Sequence, residues 1–440
     1  MDMQHKQMAM DAYWMPYTAN RQFKADPRII TGAEGAYYID DQGRKIFDGL
    51  SGLWTCGAGH NRPELASAVE QQLRQLDYAP AFQYGHPKVF ELAERVAELA
   101  PDDINRVFFV NSGSEASDTA TKIARAYWRQ KGQGTKTRII GRSKGYHGAS
   151  WGAISWGGIG GNRKLWGPAI DADHLSHTLQ PDMTFTPGMA PTGAEMADEL
   201  LELITLHDAS NIAAVIVEPF SGSAGVIVPP EGYLQRLRAI CDQHDILLIF
   251  DEVITGFGRA GRYFGAQAFG VTPDMICVAK QLTNGAIPMG AVLAKQEIHD
   301  LFMQAGGANH NIELPHGYTY SGHPVACACA LATLDLLEKE QLIPQVAEMA
   351  PKFEQAIHQL KGIEHILDIR NFGFAAGLTI APRDGDGAIR PVEIATQLWQ
   401  QGFYVRYGGD TIQLGLPFIT QQHEIDSLIN AMGDVIRKTD

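Results

Sequence analysis

Two short apolar runs, each closed by a charged residue, constrain this chain more than any other feature. Ile246-Leu247-Leu248-Ile249-Phe250 runs into Asp251, and Met275-Ile276-Cys277-Val278-Ala279 runs into Lys280. Runs of that length without polar alternation suit strands covered on both faces, as in a parallel sheet. From about residue 105 to 295 such runs alternate with helical patterns. Val107-Phe108-Phe109-Val110 precedes EASDTATKIARAYWRQ, residues 137–140 lead into GRSKGYHG, and Ala213-Ala214-Val215-Ile216-Val217 ends at Glu218. The alternation implies right-handed crossovers, hence an α/β fold whose mostly parallel sheet carries helices on both faces.

The C-terminal part changes character. HILDIRNFGFAAGLTIAP and GFYVRYGGDTIQLGLPF read as antiparallel strands broken by Gly turns, with helical segments such as PVACACALATLDLLEKEQ and PVEIATQLWQQ before and between them. The expected division is an N-terminal segment, residues 1–52, packed with a small domain; a large domain, residues 53–329; and a smaller α+β domain, residues 330–440. No internal repeat or low-complexity linker interrupts the chain.

Charge and composition narrow the partners. The 440 residues carry 36 basic against 50 acidic side chains, a formal net charge of −14. That balance argues against nucleic acid and against docking on an anionic membrane. No apolar run approaches the roughly 18 residues of a spanning helix, and MDMQHKQMAMDAYWMP lacks the apolar stretch of a signal peptide. Cys56, Cys241, Cys277, Cys327 and Cys329 are scattered and odd in number, as expected of reduced thiols in a cytoplasmic enzyme.

In open α/β sheets, ligands sit beyond the carboxyl ends of the strands, where Asp251, Lys280 and several other polar residues fall. Asn111-Ser112-Gly113-Ser114 lies between a strand and a helix opening at Glu115. Backbone N–H groups and the dipole at such a helix start attract phosphate, Gly113 permits close approach, and Ser112 and Ser114 add hydroxyls. An ordinary Ser N-cap explains the loop equally well. Tyr146-His147-Gly148 offers a ring able to stack on a flat ligand, or merely a loop aromatic. Glu218 reads as a carboxylate acting behind Asp251, or as a surface acid; Pro219, Gly222 and Gly225 favour a fixed loop. Lys280 is by default a strand-end amine reaching to solvent. An acid and an amine held around one site suit pyridoxal 5′-phosphate (PLP), which condenses with a Lys while an Asp keeps its ring nitrogen protonated.

The runs LLIFDEVITGFGRAGRYF and PDMICVAKQLTNGAIPMGAV, with WMPYTANRQFK, LSGLWTCGAGH and RYGGDTIQLGLPF, resemble the class III, fold-type I, PLP-dependent aminotransferases across nearly the whole chain. Within that class they look most like the β-alanine–pyruvate and ω-amino acid–pyruvate group. The resemblance implies PLP bound covalently to Lys280, its ring nitrogen on Asp251 and its face between Val253 and Tyr146. It implies a phosphate held by Gly113 and Ser114, completed by Thr319 of the partner subunit, so that a homodimer shares its active sites; a tetramer is the alternative assembly. Arg406 would bind the substrate carboxylate as a bidentate fork, with Trp54, Gln413, Tyr17 and Tyr146 shaping the pocket. The implied reaction is ping-pong: β-alanine, another ω-amino acid or a primary amine gives its nitrogen, and pyruvate becomes alanine. The other product is an aldehyde or ketone, malonate semialdehyde from β-alanine. Rival readings are other donors (taurine, putrescine, γ-aminobutyrate), an aminomutase, decarboxylase or racemase, and a silent PLP-binding scaffold.

Three remaining patterns are expected to be inert. His174 and His177 read as an exposed loop pair without a third metal ligand, so no metal site is expected. Cys327 and Cys329 read as helix packing, and Gly157-Gly158-Ile159-Gly160-Gly161 as a flexible loop without dinucleotide-binding spacing.

Overall fold

The computed structural model describes residues 10–440; the expectation about a leader falls partly on residues 1–9, outside the described residues. Three short strands open the fold, β1 (Ile30–Glu34), β2 (Tyr37–Asp40) and β3 (Lys45–Asp48). The central sheet follows: β4 (Ile104–Val110), β5 (Arg138–Arg142), β6 (Ala172–Leu175), β7 (Ile212–Val217), β8 (Leu247–Asp251), β9 (Met275–Val278) and β10 (Gly290–Lys295). The C-terminal strands are β11 (Ile366–Phe372), β12 (Ala375–Ile380), β13 (Phe403–Tyr404), β14 (Arg406–Gly408) and β15 (Thr411–Leu414).

The central sheet has the order β4-β10-β9-β8-β7-β5-β6. Only β10 opposes its neighbours, pairing antiparallel with both β4 and β9; β5 to β9 pair parallel. Every residue of β7, β8 and β9 is buried, which is why those segments read as unbroken apolar runs. The helices Gly113–Gln130 and Tyr233–Gln243 bury residues such as Ala120, Ile123 and Leu237 at helical spacing. Because β4, β5, β7, β8 and β9 share one direction, their carboxyl ends open on one edge.

Four strands, β11-β12-β15-β14, form an antiparallel sheet in the C-terminal part. There β15 pairs with β14 so that Gln413 faces Arg406. The N-terminal strands join that region, since β3 pairs parallel with β13, Phe47 opposite Phe403 and Asp48 opposite Tyr404. The helix Pro324–Lys339 runs unbroken through residues 329 and 330, so the expected limit there cuts a continuous helix. The chain changes direction at Gln341, whose φ of 53° is left-handed.

The inert patterns need one correction. His174 lies on β6, half-buried, with its Nε2 3.1 Å from the Gly157 carbonyl; pairing of β6 with β5 draws it off the surface. His177 is likewise half-buried. Cys327 and Cys329 are buried in the helix, as expected. Part of the glycine run is helical, since residues Gly160–Arg163 form a single turn, and a Cβ at Gly158 would run into the Arg142 carbonyl oxygen.

Candidate active site

A cavity of about 150 Å³ opens at the shared edge, and Gly113, Ser114, Tyr146, His147, Glu218, Asp251, Val253 and Lys280 all line it. Asp251 closes β8 and Lys280 follows β9 by two residues, so parallel pairing of those strands brings the acid and the amine to one space. Lys280 adopts a left-handed backbone, φ 46°, a conformation that costs energy in a residue with a Cβ and that persists where the surroundings impose it.

The electrostatics follow from burial. His147 Nδ1 donates to Asp251 Oδ2 at 2.8 Å, both groups being buried, and the Val253 N–H donates to Asp251 Oδ1 at 3.2 Å. Glu218 accepts from the N–H groups of Tyr146 (3.0 Å) and Gly222 (2.9 Å). Burial pushes its carboxyl up to about 7, helped by the Asp251 charge and opposed by His147. Lys280 keeps some contact with the space of the cavity. Burial nevertheless brings its amine down to about 8, against the pull of Asp251 and Glu218 and with the help of Arg406 and Arg259. Such an amine is neutral often enough near pH 7 to act as a nucleophile. Burial also raises the Tyr146 hydroxyl, with Tyr17 beside it as the next cause.

The helix Gly113–Gln130 points its N-terminus at this space. Ser112 serves as its N-cap, accepting from the Glu115 N–H at 3.1 Å, so its side chain turns into its own helix and does not line the cavity. Ser114 does line it, accepting from the Ala149 N–H at 3.0 Å. Gly113 is required sterically: a Cβ there would lie 2.9 Å from both methyls of Val253.

The other expected residues lie outside the cavity wall. Arg406 is half-buried on β14, near enough for its charge to act on both Lys280 and Tyr146. Tyr17 is exposed beside Tyr146. Gln413 is fully buried, donating Nε2 to the Ser223 carbonyl at 2.8 Å, and its Oε1 has no partner among the described residues. Trp54 is buried too: Gly415 has room only for hydrogen against its ring, and the Arg259 guanidinium sits 5.6 Å from the ring centroid. Thr319 is exposed, its carbonyl accepting from Tyr78 Oη at 3.0 Å, away from the cavity of its own subunit.

Sequence reasoning missed four contributors. Ile254 and Gly148 line the cavity. Gly148 has φ 125°, and a Cβ there would press into Ser114; a Gly after Tyr-His was the available signal. Arg259 is fully buried, donating to the carbonyl of Phe374 and to Ser51 Oγ at 3.1 Å each, and its charge helps depress Lys280. Arg142, equally buried, holds the Glu218 carbonyl at 2.7 Å and Ser221 Oγ at 3.0 Å. Neither arginine was marked by its neighbours in sequence. A larger cavity, about 1090 Å³, lies elsewhere, against the helix Leu342–His358; it gathers no lysine beside a buried acid, and chemistry outranks size here.

The donor set fits PLP. A depressed amine matches its aldehyde, a buried carboxylate matches a protonated ring nitrogen, and a helix start with Gly113 trimmed to its backbone matches its phosphate. The comparisons agree. The family model described as "Aminotransferase class-III" matches residues 18–436, and the chain belongs to that family. It is 61% identical over 431 residues to the β-alanine–pyruvate aminotransferase of Pseudomonas aeruginosa, covering 98% of this chain and 96% of that protein. It is 59% identical to the ω-amino acid–pyruvate aminotransferase of Pseudomonas putida, covering 98% and 97%. Among solved structures, an amine transaminase from an uncultivated Pseudomonas species in its PLP-bound form superposes with a TM-score of 0.91 at 35% identity, covering 98% of this chain and all of that one.

Proposed function

We propose that this aminotransferase carries PLP on Lys280 and moves the amino group of β-alanine, or another ω-amino acid or primary amine, to pyruvate. The observation that carries the reading is the opening of Lys280 and Asp251 onto one cavity from adjacent strands. The chemistry supplied by bound PLP is withdrawal of electrons from the substrate carbon that bears the nitrogen. The protein does the rest. Asp251, fixed by His147 and the Val253 N–H, holds a proton on the ring nitrogen. Glu218, bound to two backbone N–H groups, stands behind Asp251 with its carboxyl lifted by burial to about 7. Val253 and Tyr146, which line the same cavity, would bracket the ring, and Gly113 and Ser114 would hold the phosphate with the N-terminus of their helix. The Lys280 amine would hold PLP and, when free, would hold and move the proton of the substrate carbon that bears the nitrogen. Arg406 grips the carboxylate; its long side chain accommodates both β-alanine and pyruvate, whose carboxylates stand at different distances from the reacting carbon. Trp54, Gln413 and Tyr17 support that pocket from behind and at its mouth.

We assign a homodimer, with Thr319 of each subunit completing the other's phosphate site; a tetramer of paired dimers is the alternative assembly. Supporting this, the Thr319 carbonyl accepts from Tyr78, whose ring meets Tyr320 edge-on, and Phe82 lies against Gly317; all three aromatics are exposed, and grouped exposed apolar rings mark interaction surfaces. A cytoplasmic setting is supported by five free cysteines and by the absence, among the described residues, of any helix long and apolar enough to span a membrane. We place the limit of the large domain at Gln341. The test adds β-alanine alone to holoenzyme, and then pyruvate. The visible cofactor band should bleach with the first and return with the second, with one alanine formed per site. A band indifferent to β-alanine refutes the donor, and failure to recover refutes the acceptor.

A further inference from the structure

A second reactive cluster lies on the far side of the loop that follows Lys280. Cys56 is the one cysteine of the five that is not buried, and it borders a cavity of about 320 Å³ together with His60, Arg62 and Gly285. His60 stands beside the sulfur. Its Nε2 donates to Asp48 Oδ2 at 2.7 Å, and Asp48 is fully buried and further held by the Leu50 N–H at 3.1 Å. Tyr38 packs on the imidazole with ring centroids 4.4 Å apart. Asp48 and Cys56 together bring His60 up to about 9 against its burial, so the ring is a cation at neutral pH. Arg259 adds a second positive charge on the buried side, while Arg62 at the cavity is taken up by Glu340 and Glu64. A cation beside a thiol favours the nucleophilic thiolate.

The sulfur also touches the catalytic loop. A Cβ at Gly285 would lie 3.2 Å from Cys56 Sγ, and the Gly285 N–H donates to the Lys280 carbonyl at 3.2 Å. Neighbouring bonds clamp the two loops: Gln281 Oε1 accepts from the Gly57 N–H at 2.7 Å, and Asn284 Oδ1 accepts from the Ala58 N–H at 2.9 Å. Because Gly285 lies against the sulfur and lines the same cavity, a group added to Cys56 bears on this clamp, and with it on the backbone of Lys280.

We propose that Cys56, with His60 and Asp48, is a thiol–disulfide exchange site for small organic disulfides, and that its mixed disulfide slows transamination by shifting the turn from Lys280 to Gly285. The Cys56 thiolate, its proton held on His60, attacks one sulfur of the disulfide. A Cys56–sulfur bond forms, the original S–S bond breaks, and the departing thiolate takes the proton. The second half rests on the function proposed above; the first half does not, because it is read by mass.

Holoenzyme incubated with cystamine should gain one adduct per chain, mapped to the Cys56 peptide, lose activity in step with the adduct, and regain it with dithiothreitol. Cys56→Ser should keep its basal activity and be neither labelled nor inhibited. His60→Gln removes the cation at the cavity that the thiol borders and should slow labelling roughly threefold or more. Labelling at Cys241, Cys277, Cys327 or Cys329 before Cys56, or none at Cys56, overturns the site whatever the His60 variant does. Full labelling with unchanged turnover overturns the coupling to Lys280. Wild-type protein inactive on every donor before cystamine is added points instead to failure of the functional reading.

Discussion

The depression of Lys280 is measurable in the cofactor-free protein. An ordinary Lys amine at 10.5 is about 0.03% neutral at pH 7, whereas one at about 8 is about 10% neutral, a gain of roughly 300-fold in the form that attacks an aldehyde. Recombination of apoenzyme with PLP, followed by the rise of the visible band in stopped flow, should therefore quicken with pH and level off above about 8. Borohydride trapping and peptide mapping would place the bond on Lys280. Glu218→Gln removes a charge that favours the protonated amine, so it should move the midpoint lower; Arg406→Ala removes one that disfavours it, so it should move the midpoint higher. Stability carries the same sign. Between about 8 and 10.5 the unfolded Lys holds a proton that the folded one lacks, so apoenzyme stability rises with pH across that window, by at most about 3 kcal/mol. The penalty is fully present below pH 8. A recombination midpoint near 10.5, or Glu218→Gln raising it, would refute the assignment of burial as the cause.

Arg406→Ala should lose about 2–3 kcal/mol of carboxylate binding, roughly 30- to 150-fold in kcat/KM for pyruvate. It should lose far less with 1-phenylethylamine, a donor without a carboxylate; equal losses in both half-reactions would remove Arg406 from that role. Gly113→Ala puts a methyl 2.9 Å from Val253 and should weaken PLP binding by about 1–3 kcal/mol of overpacking, read by equilibrium dialysis against unchanged far-ultraviolet circular dichroism. Asp251→Asn should retain cofactor on Lys280 while kcat falls at least roughly 100-fold; near wild-type turnover would show that no charge is needed at the ring nitrogen.

How much of this was legible depends on what each feature needs in order to be seen. β8 and β9 announced themselves because burial on both faces leaves no polar interruption, and the residues closing them stood out as charges where apolar text stopped. Direction leaves no such trace. β10, Gly290-Ala-Val-Leu-Ala-Lys, reads like its parallel neighbours yet runs against them, because strand polarity is set by the connections. Ser112 carried two equally valid readings, phosphate donor and helix cap, and only the position of its hydroxyl shows that the cap uses it. The left-handed backbone of Lys280 was invisible, since nothing in the side chain marks a φ imposed by packing. Arg142 and Arg259 were missed for a related reason. Their partners are mostly backbone carbonyls contributed by distant segments, such as Glu218 and Phe374, and carbonyls carry no residue identity.

Three buried acids crowd the carboxyl ends of β7 and β8, and their separate fates explain why one of them serves the cofactor. Glu252 is consumed by structure: it accepts from the Gly265 and Ala266 N–H groups and from Thr255 Oγ1, and burial still lifts it to about 7. Glu218 spends its oxygens on Tyr146 and Gly222 and is lifted to the same level. Asp251 has an imidazole donor at 2.8 Å and an amine across the cavity. Three carboxylates this close repel, and burial together with the Asp251 charge lifts both glutamates, each of which is turned to backbone N–H groups. His147 bonds Asp251, while its charge acts on Glu218 in the lowering direction, against burial. Replacing His147 with a residue unable to donate would take from Asp251 its 2.8 Å partner and would remove the charge that lowers Glu218, so the Glu218 carboxyl should rise further.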